Sequence, residues 1–581
     1  MLNRKNQKLA FFVTIFLTST IMALTVSTNF YTSREINGDY DNDSLRIAAT
    51  FGDITIDALL TTNTSTNGNW TWAKDIGLCT GLGTLGNPYR IQGHTFDNAL
   101  AMDDCLRILN SREYFIIQDC TFINAGFMSA GLYLSNVTNG RVIDSFSYDN
   151  YIGIEMEFVN NTVLDGNHIY ITTAGLTVDN SHFNTISNNN ISANIDIGLY
   201  LTQSTFNTIS YNLLNDNQNF PGIWIVLNSD NNDILHNTAN RNGQSGISID
   251  TASYNTISYN EANDNTDNGI LIGDGDRNTI ISNTANKNDV NGISLTSGSD
   301  FNTVSKNTAK SNGNNGISAG FADNNEYIQN LVKHNTGTGL YAAFCIDSII
   351  YKNTAYNNSG YGIFTGLGIN MSCTMNTVYE NKNSGIYYSL ITDSIIEDNN
   401  AHHNGMNGFL LDGGSLRNLI KSNTFQYNNL SGIYIHTNSD DNLLLNNLAS
   451  NNVEHGVFLM NSDNNIISGN TASNNGENGI HLLTSNDNTI ITNTANNNKN
   501  GTFLDTSNNN KIINNILLGN IVCYNETGSS GNIFEGNICT GAIGGPAIDL
   551  STVLLILCII EGAFIGVIIA VYFVRKRKPK T

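Results

Sequence analysis

Residues 255–270 read NTISYNEANDNTDNGI, and this pattern of an Asn-Thr-Ile triplet followed by a Gly-Ile pair recurs along most of the chain. The Gly-Ile pairs, in which Leu, Phe or Val sometimes replaces Ile, are spaced by 22–24 residues from Gly131 to Gly479. The residues around them form short alternating apolar runs such as Gly246-Ile247-Ser248-Ile249. Such alternation indicates half-buried strands, and no stretch between the runs has a helical stripe. A fixed period of this length predicts a solenoid of stacked repeats.

The size of the repeat decides the fold class, because a unit this small cannot bury its apolar face alone. We expect an all-β fold, a right-handed single-stranded parallel β-helix of about 18 coils with a C-terminal transmembrane helix. We expect the repeated Asn side chains to hydrogen-bond to the Asn one coil above. We also expect Asn, and the Gly before each Ile, to occupy turn positions with positive φ.

The ends of the chain predict its organisation. We assign residues 1–27 to a signal peptide or signal anchor, 28–80 to an irregular polar spacer, 81–545 to the β-helix, 551–574 to a transmembrane helix and 575–581 to a basic cytoplasmic tail. A positive start followed by an apolar run is typical of a secretion signal. An apolar stretch followed directly by Lys and Arg residues is typical of a membrane-spanning helix whose basic end lies in the cytoplasm. We therefore expect a single-pass cell-membrane protein with an extracellular β-helix.

The predicted membrane helix contains features of its own. Glu561 carries a carboxyl group that is costly in lipid. Gly562 and Gly566 form a Gly-x-x-x-Gly motif, which permits close helix packing. These residues predict either a transmembrane homodimer or a partner subunit with a basic membrane residue.

Composition limits the partners. The formal net charge of −22 argues against nucleic acid, because phosphate binding requires a basic face. The 8 cysteines include no Cys-x-x-Cys pair, so a zinc or redox site has little support. Cys523 and Cys539 flank a Gly-rich turn and are predicted to form a disulfide at the end of the solenoid, while Cys345 and Cys373 lie about one coil apart. Several Asn-x-Ser/Thr sites fit a glycoprotein.

Three aspartates lie two residues before the Asn that begins the Asn-Thr-Ile triplet or its equivalent. Asp276, Asp300 and Asp323 belong to successive coils and should lie about 5 Å apart. Stacked carboxylates repel one another, and calcium would relieve that repulsion. The other interpretation is that each Asp caps its own turn in water. No other cofactor is indicated.

Two further segments carry a family resemblance. The opening at residues 87–93 reads NPYRIQG and residues 114–122 read YFIIQDCTF. Together with the repeats, they resemble the NosD-like right-handed β-helix proteins over residues 81–540. That family lies within the wider class of parallel β-helix repeats seen in carbohydrate-binding and sugar-hydrolysing domains. The resemblance implies a surface or periplasmic β-helix, and relatives include polysaccharide lyases, hydrolases, adhesins and a copper-site maturation factor.

The sequence contains no recognisable catalytic constellation. It has no Gly-His-Gly motif, its few basic coil residues do not recur beside paired acids, and its 10 histidines are scattered. General acid–base chemistry requires positioned groups, which this pattern does not reveal. We therefore expect a non-catalytic scaffold that binds an extracellular glycan or surface polymer. The alternatives are a polysaccharide lyase or glycoside hydrolase of the β-helix class, and a copper-handling factor.

Overall fold

The computed structural model describes residues 49–540, which form a parallel β-solenoid of about 20 coils. Each regular coil contributes to three sheets. The segment with the Gly-Ile pair forms sheet 1, the Asn-Thr-Ile triplet forms sheet 2, and the segment that follows the triplet forms sheet 3. Strands of successive coils pair in parallel and in register, as Ile257 does with Ile280. The number of coils exceeds the predicted 18, because coils at both ends lack the Gly-Ile pair.

Sheets 1 and 2 run through the whole described solenoid. The strands of sheet 1 are Ile54–Asp57, Asn67–Gly68, Leu106–Leu109, Ala130–Ser135, Ile152–Glu157, Ala174–Asp179, Ile197–Thr202, Ile223–Val226, Ile247–Asp250, Ile270–Gly273, Ile293–Leu295, Ile317–Gly320, Leu340–Ala343, Ile363–Gly366, Ile386–Ser389, Phe409–Asp412, Ile433–His436, Val457–Met460, Asn478–Leu483, Asn500–Asp505 and Val522–Thr527. The strands of sheet 2 are Tyr89–Gln92, Phe115–Gln118, Gly140–Ile143, Val163–Asp165, Thr185–Ser187, Thr208–Ser210, Asp233–Leu235, Thr256–Ser258, Thr279–Ile281, Thr303–Ser305, Glu326–Ile328, Ile349–Tyr351, Ser372–Thr374, Ile395–Glu397, Leu419–Lys421, Leu443–Leu445, Ile466–Ser468, Thr489–Ile491, Lys511–Ile513 and Ile533–Glu535.

Sheet 3 is interrupted. Its strands are Thr50–Phe51, Thr95–Asp97, Thr121–Ile123, Phe146–Tyr148, His168–Tyr170 and Asn190–Ile191, then Thr308–Lys310, Leu331–Lys333, Thr354–Tyr356, Thr377–Tyr379, Asn400–His402 and Thr424–Gln426, and finally Ile516–Leu518 and Ile538–Thr540. Between these groups, single parallel bridges continue the ladder, as from Thr238 to Glu261 and on to Thr284. The third side of the coil is therefore present throughout, although its strands are short.

The core lies inside the coils. In one repeat, Ile247 and Ile249 of sheet 1, Ile257 of sheet 2 and Ala262 beside sheet 3 point inward and are fully buried. Because strand side chains alternate between faces, the residues between them point outward. The alternating runs that predicted strands thus also predict which residues form the core.

Three ladders of buried asparagines connect the coils, before sheet 2, after sheet 2 and after sheet 3. Asn260, in the ladder after sheet 2, shows the pattern: its Nδ2 donates to Asn283 Oδ1 at 3.0 Å and to the carbonyl of Ile234 at 2.8 Å. Its Oδ1 accepts the backbone N–H of Asn237 at 2.8 Å. The predicted hydrogen bond between Asn residues of neighbouring coils is confirmed.

The expected positive φ is found at some turn asparagines, such as Asn188 and Asn446, but it is wrong for the ladder asparagines and for the Gly before Ile. In the ladder after sheet 2, positive φ belongs to the residue before the buried Asn, such as Tyr259 at 56°, and not to the Asn. The Gly before Ile is not left-handed either: a Cβ on Gly269 would lie 2.7 Å from the carbonyl O of Gly292. This glycine is therefore required because the coils pack closely there.

The solenoid begins earlier than predicted. Ile54–Asp57 pairs with Leu106–Leu109, so the part of the expected polar spacer that the structure describes belongs to the fold. Helix α1 (Trp70–Asp75) follows, with the Asn69 side chain accepting a hydrogen bond from the backbone N–H of Trp72. Trp70 is buried and stacks on Tyr89 at 4.6 Å. The aromatic residues of this segment thus cover the first coils.

Several predicted segments lie outside the described residues. They are the signal sequence at 1–27, the first part of the spacer, the transmembrane helix at 551–574 and the basic tail at 575–581. Among residues 49–540, no helix has both the length and the apolar character needed to cross a membrane.

Candidate functional site

The outer face of sheet 1 carries an unusual group of acids near the N-terminal end of the solenoid. Ile154 and Met156 point into the core, so Glu155 and Glu157 point outward from the same strand. Glu157 pairs in register with Asp179 on the next coil. The exposed fractions of Glu155 and Glu157 are only 8% and 9%. Carboxyl groups are seldom this buried on an outer face, which marks this surface as a candidate site.

Aromatic residues extend the same surface. The register runs from Tyr133 through Glu155 and Thr177 to Tyr200 and Trp224. The Tyr133 hydroxyl donates a hydrogen bond to Glu157 Oε2. Polar and aromatic side chains therefore occupy one continuous row of outward positions. We name this surface the acidic groove and define it by Tyr133, Glu155, Glu157, Asp179, Tyr200, Trp224 and Asp250.

Asp179 is the acid whose protonation the groove perturbs most clearly. Burial, followed by the charges of Glu157 and Glu155, raises the pKa of Asp179 to about 6. Burial raises the pKa of Tyr200 to about 12, and the charge of Asp179 contributes in the same direction. Asp179 is thus partly protonated near pH 6 and can donate a hydrogen bond as well as accept one.

Asp250 forms the other end of the acidic groove. Its Oδ2 accepts hydrogen bonds from Trp224 Nε1 at 2.5 Å and from Ser248 Oγ at 2.9 Å. Burial raises the pKa of Asp250, and these two hydrogen bonds oppose the shift. The indole is therefore oriented by a carboxylate three strands away from Asp179.

One side of the groove is formed by turns that precede sheet 1. Burial raises the pKa of Tyr151 to about 12, with a smaller effect from the charge of Asp196. Asn219 Nδ2 donates to Asp196 Oδ1 at 2.8 Å. Phe220 stacks on Trp224 with ring centroids 5.8 Å apart. These turns add carboxylate, amide and aromatic groups beside the strand row.

The groove has the chemistry of a polar ligand site. Carboxylates accept hydrogen bonds from hydroxyl groups, and aromatic rings offer apolar surface beside them. Binding sites commonly combine such aromatic walls with a few oriented polar groups. The concentration of acids disfavours an anionic ligand, because like charges repel at short range. The arrangement suits a neutral ligand rich in hydroxyl groups.

A second aromatic surface lies on sheet 1 near the C-terminal end. Tyr434, Phe458, His481 and Phe503 follow one another on successive coils, and their adjacent ring centroids are 4.8 Å apart. The interplanar angles are 5°, 14° and 16° along this row. We name it the C-terminal stack. His455 lies beside it, with its ring centroid 4.8 Å from that of His481.

The three aspartates proposed as a calcium ladder do lie on successive coils. Asp276 Oδ1 accepts the backbone N–H of Asp300 at 2.9 Å, and Asp300 Oδ1 accepts the backbone N–H of Asp323 at 2.7 Å. Asp323 Oδ1 in turn accepts the N–H of Ile346. Each carboxylate therefore has a backbone donor on the next coil. A role for calcium stays a prediction.

The predicted cysteine pair is brought together. Cys523 in sheet 1 and Cys539 in sheet 3 form a disulfide with a Cα–Cα distance of 5.8 Å. Cys345 and Cys373 are buried free thiols. Glu561, Gly562 and Gly566, predicted to pack in the membrane, lie outside the described residues.

Sequence reasoning missed the acidic groove. A signal was available, because the outward position that holds Glu155 holds Ser248, Ser294 or Ser318 on later coils. The outward position that holds Glu157 and Asp179 becomes Gly273. Finding this signal requires an alignment of the repeats by the register of their strands, and not by the Asn of the Asn-Thr-Ile triplet. Within residues 49–540, no group of three or more His, Cys, Asp or Glu side chains is arranged to hold a metal ion.

Family models match most of the solenoid. One described as "Periplasmic copper-binding protein (NosD)" matches residues 219–361, 334–453 and 414–548, which together cover more than half of the chain. Another, described as "Right handed beta helix region", matches residues 80–239. Among curated protein sequences, none matches this chain significantly.

Solved structures of other β-helix proteins show some similarity. The A-module of Azotobacter vinelandii mannuronan C-5 epimerase AlgE4 is 13% identical, with 66% of this chain and 89% of that chain covered and a TM-score of 0.26. Periplasmic alginate epimerase AlgG is 12% identical, with 85% of each chain covered and a TM-score of 0.24. Alginate lyase from Paenibacillus sp. str. FPU-7 is 16% identical, with 44% and 98% covered and a TM-score of 0.23. At these TM-scores the similarities carry no argument about activity.

Proposed function

Because this chain belongs to the NosD family of β-helix proteins, we propose that it is a membrane-anchored surface protein whose acidic groove binds a neutral extracellular glycan. The observation that carries the proposal is the burial of Glu155 and Glu157 on an outer face, in register with Asp179. The outward residues Leu271 and Ser294 of later coils are not acidic, and the acids that recur further on, Asp412 and Asp505, are single. The acids are concentrated where aromatic residues and the turns that precede sheet 1 also meet.

The neutrality of the ligand follows from charge. The chain carries a formal net charge of −22, and the groove itself adds several carboxylates. A uronic acid polymer would meet repulsion along the whole row, whereas sugar hydroxyls can donate to each carboxylate. Tyr200 and Trp224 provide apolar surface for the ring faces of a sugar.

A second candidate function is glycoside hydrolysis, which one observation favours. The pKa of Asp179 is raised to about 6, so this carboxyl group can be protonated near pH 6, and Glu157 lies in register beside it. Glycosidases use two such carboxyl groups, one as general acid and one as nucleophile or base. Release of shorter oligosaccharides by the wild-type chain, lost in Asp179→Asn, would establish this activity. Binding without product release would leave the non-catalytic role.

A copper role is the third possibility, because the description of the family names copper binding. Copper prefers His, Met or Cys donors. The described residues bring histidines together in pairs, His402 with His403 and His455 with His481, without a third His, Cys, Asp or Glu placed for a metal. This donor set does not fit a copper centre, and we derive no copper chemistry from it.

The location and assembly proposed here rest on the sequence. The apolar span at 551–574, followed by basic residues, supports an extracellular β-helix on a single membrane helix. Gly562 and Gly566 support a transmembrane homodimer or partner subunit, which cross-linking in membranes tests. Calcium remains proposed for Asp276, Asp300 and Asp323, tested by comparing thermal stability with and without calcium.

The glycan proposal is tested with the full chain on an array of neutral and uronic-acid glycans. We expect selective binding of a neutral class by wild type and its loss in Trp224→Ala. Leu271→Ala is the matched control, since Leu271 points outward on the same sheet without acidic neighbours in its register. Preference for uronic acids, or equal binding by wild type and Trp224→Ala, would overturn the proposal.

A further inference from the structure

The second site of interest is the histidine pair beside the C-terminal stack. His455 Nε2 and His481 Nδ1 lie 3.3 Å apart. The backbone N–H of Asn478 donates to His455 Nδ1 at 3.3 Å. These contacts fix where each ring carries its proton.

The assignment follows from donor and acceptor rules. His455 Nδ1 accepts a backbone N–H, so in the neutral ring the proton is on Nε2. That N–H faces His481 Nδ1, which must therefore be the acceptor. The proton of neutral His481 is consequently on Nε2. The reverse tautomer of His481 would place two N–H donors against each other.

The Nε2–H of His481 has no acceptor among the described residues. The side chain is buried, with 9% of the residue exposed, and Nε2 itself is covered. Buried polar groups are nearly always hydrogen-bonded, and an unpaired donor costs stability. An oriented donor without a partner on an outer face therefore indicates a ligand or solvent group that completes it.

The surroundings define the chemistry of that group. Phe458 and Phe503 stack on the two faces of His481, so the partner reaches the ring at its edge. The carboxylates of Asp505 and Glu477 act electrostatically on His481 and disfavour an anionic acceptor. A hydroxyl oxygen satisfies both conditions, because it accepts from an N–H and can donate to a carboxylate.

We propose that His481 Nε2 donates a hydrogen bond to a hydroxyl group of a bound neutral sugar, which makes the C-terminal stack a second glycan subsite. This inference rests on the proposed glycan-binding function and assigns a second position to it. The half-buried rings of Tyr434, Phe458 and Phe503 supply the apolar rim. Since Nε2 is covered in the free protein, a neighbouring side chain must move when the sugar binds. Glu477 is the candidate, because its ion pair with Lys499 is about half exposed.

The binding experiment uses the full chain and linear gluco-, manno- and galacto-hexaoses, measured by calorimetry. His481→Phe keeps an aromatic ring in the stack and removes the donor. We expect it to weaken binding of the preferred hexaose about tenfold, as loss of one oriented hydrogen bond does. His236→Phe is the matched control, because His236 also stacks between two aromatic rings, Tyr211 and Tyr259, and lies away from the site. It should bind within about twofold of wild type.

The outcomes separate the two proposals. Weaker binding in His481→Phe but not in Trp224→Ala supports the subsite and contradicts the acidic groove as the glycan site. The reverse result overturns the subsite, with water as the partner of Nε2, and leaves the groove proposal standing. If wild type binds no neutral hexaose, both fail. Nitrogen-15 spectra of labelled histidines test the tautomer without any variant, and a proton on Nδ1 of His481 would also overturn the inference.

Discussion

The asparagine ladders should contribute substantially to the stability of the solenoid, and Asn260→Ala tests this. The side chain of Asn260 accepts the backbone N–H of Asn237 and donates to the carbonyl of Ile234. All three residues are at most 1% exposed. Removing the amide leaves that N–H unpaired in the interior, while the Ile234 carbonyl stays within the parallel ladder between Asp233–Leu235 and Thr256–Ser258. At about 1–3 kcal/mol for the unpaired N–H and about 1 kcal/mol for the lost hydrogen bond to the carbonyl, we expect a loss of about 2–4 kcal/mol in the free energy of unfolding.

The measurement is urea unfolding of the full chain, combined with hydrogen exchange of peptides that contain residues 234–260. Exchange at Asn237 should accelerate most, because its N–H loses its acceptor. Asn314→Ala is the control, since this exposed side chain lies outside the ladders, and it should change stability by less than about 0.5 kcal/mol. Equal stability of Asn260→Ala and Asn314→Ala, with unchanged exchange at Asn237, would refute the reasoning.

Three further predictions concern packing and charge. Gly292→Ala places a Cβ 2.6 Å from the Ala309 Cβ and the Gly316 carbonyl oxygen, so thermal denaturation should show that the free energy of unfolding falls by about 1–3 kcal/mol. Gly320→Ala is the control, because the space around Gly320 is open, and it should show no such loss. Burial lowers the pKa of His481 to about 4, so the free energy of unfolding should fall as the pH drops from 6.5 towards 4, by about 2 kcal/mol at pH 5. His481→Phe should abolish that part of the acid sensitivity, and an unchanged pH profile in this variant would contradict the prediction. Burial, followed by the charges of Glu157 and Glu155, raises the pKa of Asp179 to about 6, so its ionisation costs stability as the pH rises from 3.8 through 6. Asp179→Asn should therefore be about 1–2 kcal/mol more stable than wild type at pH 8 and bind glycan less well. Lower stability of the variant at pH 8 would contradict an unfavourable ionised Asp179.

The sequence predicts the regular part of the fold because each repeat carries the same pattern of alternating apolar residues. Alternating residues such as Ile247 and Ile249 identify strands, and their fixed spacing identifies stacking. The sequence was less informative about local conformation. Gly269 looked like a turn residue, but its role depends on the distance between coils, which only the packed structure reveals.

The acidic groove could not be read from the repeat pattern for a similar reason. Glu157 and Asp179 are separated by 22 residues and look like isolated surface acids until the register places them side by side. The pairing of His455 with His481 likewise arises from a contact between a turn and a strand on successive coils.

The central claim is that a neutral glycan lies along the outer face of sheet 1, and photo-cross-linking tests it most directly. The full chain would be irradiated with a diazirine-bearing neutral hexaose, and labelled peptides would be identified by mass spectrometry. We predict labels on peptides that span Ala130–Ser135 to Ile247–Asp250, reduced in Trp224→Ala. Labels confined to peptides of sheets 2 and 3 would contradict the account.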